Sequence, residues 1–180
     1  MTEESRTRIA TSWLSGCSGC HMSFLDMDER LVEIAKKIEL VYSPIADVKT
    51  FPENVDVTII EGAVANEEQL ELLKKIRERT KILVSLGDCA VTGNVTALRN
   101  SLDNSARQVL KRAYVETTEV NPKIPEEIPQ LLEKALPLHE VVRVDYYIPG
   151  CPPSADLIHY VLSELLAGKT PNMEGKSKYG

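Results

Sequence analysis

The sequence lacks the features that define two large classes of proteins. No apolar run approaches the length of about eighteen residues that a membrane-spanning helix needs, so no membrane span is predicted. The formal net charge is −6, and no basic cluster interleaved with aromatic residues occurs. A nucleic-acid-binding surface is therefore not expected.

Recognisable targeting signals are also missing. The N-terminal stretch MTEESRTRIATSW places acidic residues beside its two arginines and has only a short apolar run after them. It has neither the hydrophobic region of a secretory signal nor the paired arginines of a twin-arginine signal. We therefore expect the chain to be cytoplasmic.

Cysteine is scarce, with four residues in a chain of 180. In a cytoplasmic chain of this size, four cysteines are not expected to form structural disulfides. They could instead be buried apolar residues, thiols with redox chemistry, or metal ligands. Their positions in the predicted fold help to separate these possibilities.

Strands and helices alternate along the chain. Strands are predicted at 8–14, 39–44, 55–62, 81–87 and 141–150. Helices are predicted from Ser23 to Ile38, from Asn66 onward, near 94–113, and from Pro152-Pro153 to Gly168. This alternation predicts an α/β fold, with a mainly parallel, doubly wound sheet of the flavodoxin-like type and helices on both faces.

We expect one flavodoxin-like domain over residues 1–180, with two less regular parts. Four prolines interrupt residues 114–143, where only a short helix near 126–136 is predicted. This segment is interpreted as a surface excursion that could meet a partner. Residues 169–180 are expected to form a loosely ordered tail.

All four cysteines follow predicted strands. Cys17 and Cys20 come after the first strand, Cys89 lies two residues beyond 81–87, and Cys151 directly follows 141–150. In open α/β sheets, ligands bind at the carboxyl ends of the strands. We therefore expect the four thiols to meet at one edge of the sheet.

The residues alone leave several interpretations of these thiols open. A C-x-x-C redox pair is typical of a strand-to-helix junction, but it would leave Cys89 and Cys151 without a role. A structural zinc site usually takes its ligands as two close pairs. Four cysteines from three separate loops favour a [4Fe–4S] cluster over zinc, a dithiol or inert thiols.

Three motifs also resemble a known family. WLSGCSGC, GDCAVTG and PGCPPS, in this order, resemble the small subunit of [NiFe] hydrogenases and the related cluster-bearing 20 kDa-type subunit of respiratory complex I. The complex I subunit has adjacent cysteines in the first motif, whereas this chain has the C-x-x-C spacing of hydrogenases. Two positions depart from the family pattern: Gly16 where many members have glutamate, and Asn94 where many have glycine.

The resemblance implies a role in electron transfer. Carried over by position, the four cysteines would ligate the proximal [4Fe–4S] cluster, while the nickel–iron centre would belong to a separate large subunit. This chain would then hold no residue for hydrogen cleavage. The site residues implied are Cys17, Cys20, Cys89 and Cys151.

The type of hydrogenase follows from the same resemblance. One cluster, no signal and a short chain resemble the small subunit of cytoplasmic NAD(P)-linked hydrogenases, which pass electrons to an iron–sulfur and flavin diaphorase module. The alternatives are the small subunit of a membrane-bound energy-converting hydrogenase and a stand-alone thiol–disulfide oxidoreductase. FMN is not expected in this chain, because two cysteines occupy the loop that binds the phosphate in flavodoxins.

Two acidic residues near the cysteines are also singled out. Glu61 ends a buried strand at the same edge, and it is interpreted either as a functional carboxylate or as an ordinary acid at the end of a strand. Asp88 directly precedes Cys89 and is expected to cap the turn there.

Overall fold

A five-stranded parallel sheet forms the centre of the computed structural model, which describes residues 6–180. In order across the sheet, its strands are Ile38–Tyr42 (β2), Thr7–Trp13 (β1), Val55–Glu61 (β3), Thr80–Leu86 (β5) and Tyr146–Ile148 (β7). This order, with the first strand between the second and third, is that of the flavodoxin-like fold. The predicted fold class is confirmed.

The central strands consist of residues that favour burial on both faces of a sheet. Val57, Thr58, Ile59 and Ile60 of β3 are all buried. Such a run of β-branched residues suits a parallel sheet that is covered on both sides. The structure provides this cover with helices.

Helices pack against both faces of the sheet. The α-helices of the described residues are Gly19–Leu25 (α1), Glu29–Ala35 (α2), Glu67–Arg79 (α3), Asp88–Thr92 (α4), Ser105–Lys111 (α5) and Ala155–Leu166 (α6). One core joins α2 and α6 to the side of the sheet that carries Ile9 and Ile59. A second core joins α3 and α4 to the side that carries Ala10 and Ile60. Neighbouring strand residues thus point into opposite cores.

Helix α3 begins where the sequence predicts, directly after Asn66. The Asn66 side chain accepts a hydrogen bond from the Gln69 N–H at 2.9 Å, as a helix N-cap does. The Gln69 side chain in turn accepts hydrogen bonds from the Ala65 N–H and the Ser15 hydroxyl. This junction therefore also holds the loop that follows β1.

Two predicted elements differ from the structure in their boundaries. The helix predicted from Ser23 to Ile38 is divided into α1 and α2, because Asp28 adopts a left-handed φ of 50° between them. The strand predicted at 141–150 is reduced to β7. Before it, the Asp145 N–H donates to the Leu83 carbonyl at 2.9 Å, but the Leu83 N–H donates to the Asp145 carboxylate at 2.9 Å, so a side chain replaces the carbonyl that a continuing strand would offer.

The helix predicted near 126–136 is wrong. Residues Leu131–Leu136 form a strand (β6), which pairs antiparallel with Val64–Asn66 (β4). Asn100 exchanges two hydrogen bonds of 2.8 Å with the Ala135 backbone, and Arg99 donates to the carbonyls of Leu132 and Glu133. These tertiary partners satisfy an extended backbone, and they override the local helical tendency.

The segment predicted to be weakly helical near 94–113 contains several kinds of helix. A 3-10 helix spans Asn94–Ser101, α5 follows it, and a π-helical turn covers Arg112–Glu116.

No helix in the described part of the chain combines the length and apolar character needed to cross a membrane.

The segment 169–180 contains no helix or strand, but it makes defined contacts. The Asn172 N–H donates to the Tyr160 hydroxyl at 3.1 Å, and the Gly180 N–H donates to Asp88 Oδ2 at 2.7 Å. The tail therefore returns to the sheet edge at which Cys89 lies.

Candidate metal centre

The four cysteines lie together at the carboxyl edge of the sheet. Cys17 and Cys20 follow β1, Cys89 lies in α4 after β5, and Cys151 follows β7. They line one cavity of about 80 Å³. The rest of its lining includes the buried carboxylates Glu61 and Asp88 and several glycines. The structure thus brings all four predicted site residues together, as their positions after parallel strands indicated.

The thiols differ in their access to solvent. All four cysteines are free; Cys17 and Cys151 are exposed, Cys20 is half-buried and Cys89 is buried. The cavity therefore has an inner wall against the sheet and an outer rim at the protein surface. A group held there would be reachable from a partner that covers this edge.

Glycine allows the backbone to approach the thiols. Gly87, at the end of β5, has a φ of +81°, and a Cβ atom there would overlap the Cys20 Sγ atom. A Cβ atom on Gly19 would lie 3.2 Å from the Cys17 Sγ atom. Side chains at these positions would fill the space around the sulfurs, so the cavity depends on both glycines.

The site opposes the ionisation of its own thiols. Burial raises the pKa of Cys20 to about 12, and the negative charges of Glu61 and the other three cysteines add to this effect. Burial, Cys151, Cys17 and Glu61 likewise raise the pKa of Cys89. Metal ligation needs thiolates. Only a metal cation that binds the thiolates strongly would therefore displace the protons of these thiols.

The arrangement suits a cluster of several metal ions better than one ion. Among residues 6–180, no three or more His, Cys, Asp or Glu side chains are grouped closely enough to hold a single metal ion. Thiolates on one zinc ion, each about 2.3 Å from it, would have to crowd together. In an iron–sulfur cluster each thiolate binds a separate iron, so the four thiols present could hold a [4Fe–4S] cluster.

Sequence reasoning only partly anticipated the two buried carboxylates. Asp88 does not cap the start of α4, where no side-chain capping bond is formed. Instead its Oδ1 atom accepts the Gly150 N–H at 2.6 Å. Glu61 accepts the N–H of His21, the residue after Cys20, at 2.7 Å. The sequence signal for both was only that each acid ends or follows a buried strand.

His21 is a further residue at the site whose environment the sequence did not reveal. Its ring is buried against Trp13 in an edge-on arrangement, with 5.3 Å between the ring centroids. Neither ring nitrogen makes a hydrogen bond within the described residues, although Nδ1 lies 3.1 Å from Glu61 Oε2. Glu61 is therefore the polar group that His21 faces.

Comparison with known proteins identifies the family. Residues 17–165 match the sequence profile described as the NADH ubiquinone oxidoreductase, 20 Kd subunit. This match begins at the first cysteine and includes all four. The chain belongs to this family.

Similar proteins include several hydrogenase subunits. The chain is 42% identical over 172 residues to the NAD-reducing hydrogenase HoxS subunit delta of Cupriavidus necator, covering 92% of this chain and 81% of the relative. It is 41% identical to a subunit of the F420-non-reducing hydrogenase vhu of Methanocaldococcus jannaschii, covering 94% of this chain and 59% of the relative. The resemblance to hydrogenase small subunits is thereby confirmed.

Solved structures agree with this assignment. A chain of an NAD⁺-reducing [NiFe]-hydrogenase in the H₂-reduced state superposes with a TM-score of 0.92 at 41% identity, covering 98% of this chain and all of that chain. A chain of the [NiFeSe] hydrogenase from Desulfovibrio vulgaris Hildenborough superposes with a TM-score of 0.59 at 16% identity, covering 92% and 61%. The second likeness shows the shared fold alone.

Proposed function

We propose that this chain is the electron-transfer subunit of a [NiFe] hydrogenase. It would carry one [4Fe–4S] cluster, ligated by Cys17, Cys20, Cys89 and Cys151, between the nickel–iron site of a large subunit and an NAD(P)-linked diaphorase module. The observation that carries this proposal is that four thiols from three strand ends line one small cavity. Such a cluster supplies one-electron redox chemistry when it is bound.

The residues of this chain would hold the cluster and control its access to solvent. Cys89 and the half-buried Cys20 form the inner side of the site, against the sheet. The exposed Cys17 and Cys151 form the side on which the large subunit would dock. We assign no residue of this chain to hydrogen cleavage, because its role would be to position the cluster.

The NAD(P) linkage rests on two likenesses. A relative at 42% identity is named an NAD-reducing hydrogenase subunit, and a chain at 41% identity belongs to an NAD⁺-reducing [NiFe]-hydrogenase. Other relatives, at 41% and 40% identity, are named F420-non-reducing hydrogenase subunits. The electron acceptor therefore needs its own test.

The proposed cytoplasmic location goes with the NAD(P) linkage, since the reaction would draw on the cytoplasmic pool of NAD(P).

A stand-alone dithiol oxidoreductase is a weaker interpretation of the same site. Redox thiols act as thiolates and generally have lowered pKa values, whereas the pKa of Cys20 is raised to about 12. A dithiol site also gives no reason for Cys89 and Cys151 to line the same cavity.

The absence of FMN from this chain stays a prediction.

Metal analysis of the anaerobically purified chain, co-produced with its large subunit, tests the cluster. We expect about four irons per chain and broad visible absorption that is bleached on reduction. Alanine at any one of the four cysteine positions should abolish or strongly reduce the iron content. Glu71→Ala, a change of an exposed residue on α3 outside the cysteine edge, should leave it unchanged.

Iron below one per chain, or stoichiometric zinc, would overturn the cluster assignment. The double variant Cys89→Ala/Cys151→Ala separates the two chemistries. A dithiol enzyme should keep disulfide reductase activity in this variant, because Cys17 and Cys20 remain. A cluster protein should lose its iron and show no such activity.

The partners are tested with the assembled complex. We expect the chain to co-purify with a large subunit and with iron–sulfur and flavin subunits, and the complex to reduce NAD⁺ or NADP⁺ with H₂. A complex that oxidises H₂ with an artificial dye but reduces neither nucleotide would contradict the diaphorase linkage. It would leave the cluster assignment intact.

A further inference from the structure

Two buried carboxylates line the cysteine cavity. Glu61 ends β3 and Asp88 begins α4, and they are only 2% and 3% exposed. Burial of a carboxylate is costly unless hydrogen bonds or opposite charges compensate for it. Within residues 6–180, neither group forms an ion pair with a lysine or an arginine. The compensation comes from the hydrogen bonds that each group accepts and, for Glu61, also from the His21 ring 3.1 Å away.

Glu61 holds the segment that carries Cys17 and Cys20. Its Oε2 atom accepts the His21 N–H at 2.7 Å, directly after Cys20. At the other end of the segment, a Cβ atom on Gly16 would lie 3.7 Å from its Oε1 atom. The Glu61 side chain thus lies beneath both ends of the C-x-x-C segment and joins it to β3.

Asp88 holds the other two cysteines in the same way. Its Oδ1 atom accepts the Gly150 N–H at 2.6 Å, and its own N–H donates to the Gly150 carbonyl at 2.9 Å. Because Asp88 directly precedes Cys89 and Gly150 directly precedes Cys151, these two bonds join the two cysteine loops. The Oδ2 atom accepts the Gly180 N–H at 2.7 Å, so both carboxylate oxygens are occupied.

We propose that Glu61 and Asp88 are positioning residues that preorganise the four-cysteine site, each holding one half of it through a backbone N–H group. The proposal rests on the cluster function proposed above. The same two groups place negative charge beside the cluster. Within residues 6–180 neither is paired with a lysine or an arginine, although the His21 Nδ1 atom lies 3.1 Å from Glu61 Oε2. Net charge and hydrogen bonding set the potentials of iron–sulfur clusters, so these carboxylates lower the reduction potential.

Paired substitutions separate the hydrogen bond from the charge. Glu61→Gln and Asp88→Asn keep an oxygen that can accept the same N–H but remove the charge. Glu61→Leu and Asp88→Leu remove both. The variants are made in the full chain and co-produced with the large subunit, and iron content and the reduction potential of the cluster are measured. Glu71→Gln, on the exposed side of α3, is the matched control.

We expect the amide variants to bind as much iron as the wild type and to show a more positive reduction potential. The leucine variants should bind less than half as much iron, because one half of the site is released. Glu71→Gln should change neither quantity. Wild-type iron content in both leucine variants, or an unchanged potential in both amide variants, would overturn the inference.

Hydrogen exchange in the metal-free chain tests the positioning independently of the cluster. The amides of His21 and Gly150 should be protected in the wild type and in the amide variants. The His21 amide should lose protection in Glu61→Leu, and the Gly150 amide should lose it in Asp88→Leu. Equal protection in the leucine variants and the wild type would refute the positioning role. A wild-type chain without iron would instead refute the proposed cluster.

Discussion

At the scale of single residues, Gly87 shows how closely the site constrains its surroundings. It directly follows β5, has a positive φ of +81°, and leaves no room for a Cβ atom beside Cys20. Gly168, after α6, has a similar φ of +69° but nothing within 4 Å of such an atom. The two glycines thus share a positive φ and differ in the space around them.

Gly87→Ala should therefore damage the site, whereas Gly168→Ala should not. Both changes introduce a side chain at a positive φ, which costs about 1 kcal/mol in the free energy of unfolding in the left-handed region. The cost is higher at Gly87, about 1–3 kcal/mol, because its ψ of 160° lies in a region used almost only by glycine. Only Gly87→Ala also forces a methyl group onto the Cys20 sulfur, so it alone should lose most of its iron. Iron analysis and urea unfolding of the metal-free chain measure the two effects. Equal iron content in the two variants would contradict this explanation.

At the scale of secondary-structure elements, Asp145 links strand β5, helix α3 and the start of strand β7. Its carboxylate accepts the Leu83 N–H of β5 at 2.9 Å and pairs with Arg77 of α3 at 2.7 Å, just before β7 begins. Burial alone would raise the pKa of Asp145. The hydrogen bonds from Leu83 and Arg77 and the positive charge of Arg77 nevertheless lower it below its ordinary value.

This lowered pKa predicts how stability depends on pH. The group contributes stability at a pH above its unfolded pKa of about 3.9, and the contribution is lost as the pH falls through the lower folded value. Asp145→Asn should lower the free energy of unfolding by about 1–2 kcal/mol at neutral pH. The difference from the wild type should shrink as the pH falls below about 4.

Urea unfolding of the metal-free chain at several pH values measures this effect. Asp47→Asn, which changes an exposed aspartate, is the control and should alter stability little at any pH. A deficit in Asp145→Asn that stays constant down to about pH 3 would show that the charge of Asp145 is not the cause.

At the scale of the whole molecule, the exposed rim of the site implies dependence on a partner. Cys17 and Cys151 are exposed, and Trp13 and Met22, which flank the C-x-x-C segment in the sequence, are 38% and 58% exposed. Apolar side chains exposed around a functional edge are typical of an interaction surface. The large subunit would cover them in the proposed complex.

The isolated chain should therefore lose its cluster more readily than the complex. Water and oxygen can reach the two outer thiolates in the free chain, whereas docking of the large subunit would exclude them. We expect visible absorption to decay several-fold faster in air for the isolated chain than for the same chain in the complex. An isolated monomer that retains its cluster as long as the complex would argue against docking at this edge.

The sequence by itself determined the sheet and the location of the site. The strands are marked by short runs of β-branched and apolar residues, and parallel strands end at the same edge of a sheet. Cys17, Cys20, Cys89 and Cys151 each follow such a strand, so their meeting could be predicted without coordinates. Within the resemblance to hydrogenase and complex I subunits, the C-x-x-C spacing also indicated the hydrogenase branch.

The tertiary structure alone decided the details that depend on distant partners. The strand β6 forms because Arg99 and Asn100 bind its backbone, and local sequence gives no sign of this. Glu61 reaches a partner 40 positions away in the chain and Asp88 one 62 positions away. Local propensity acts over a few residues, whereas a buried hydrogen bond is fixed only when the folded chain brings donor and acceptor together.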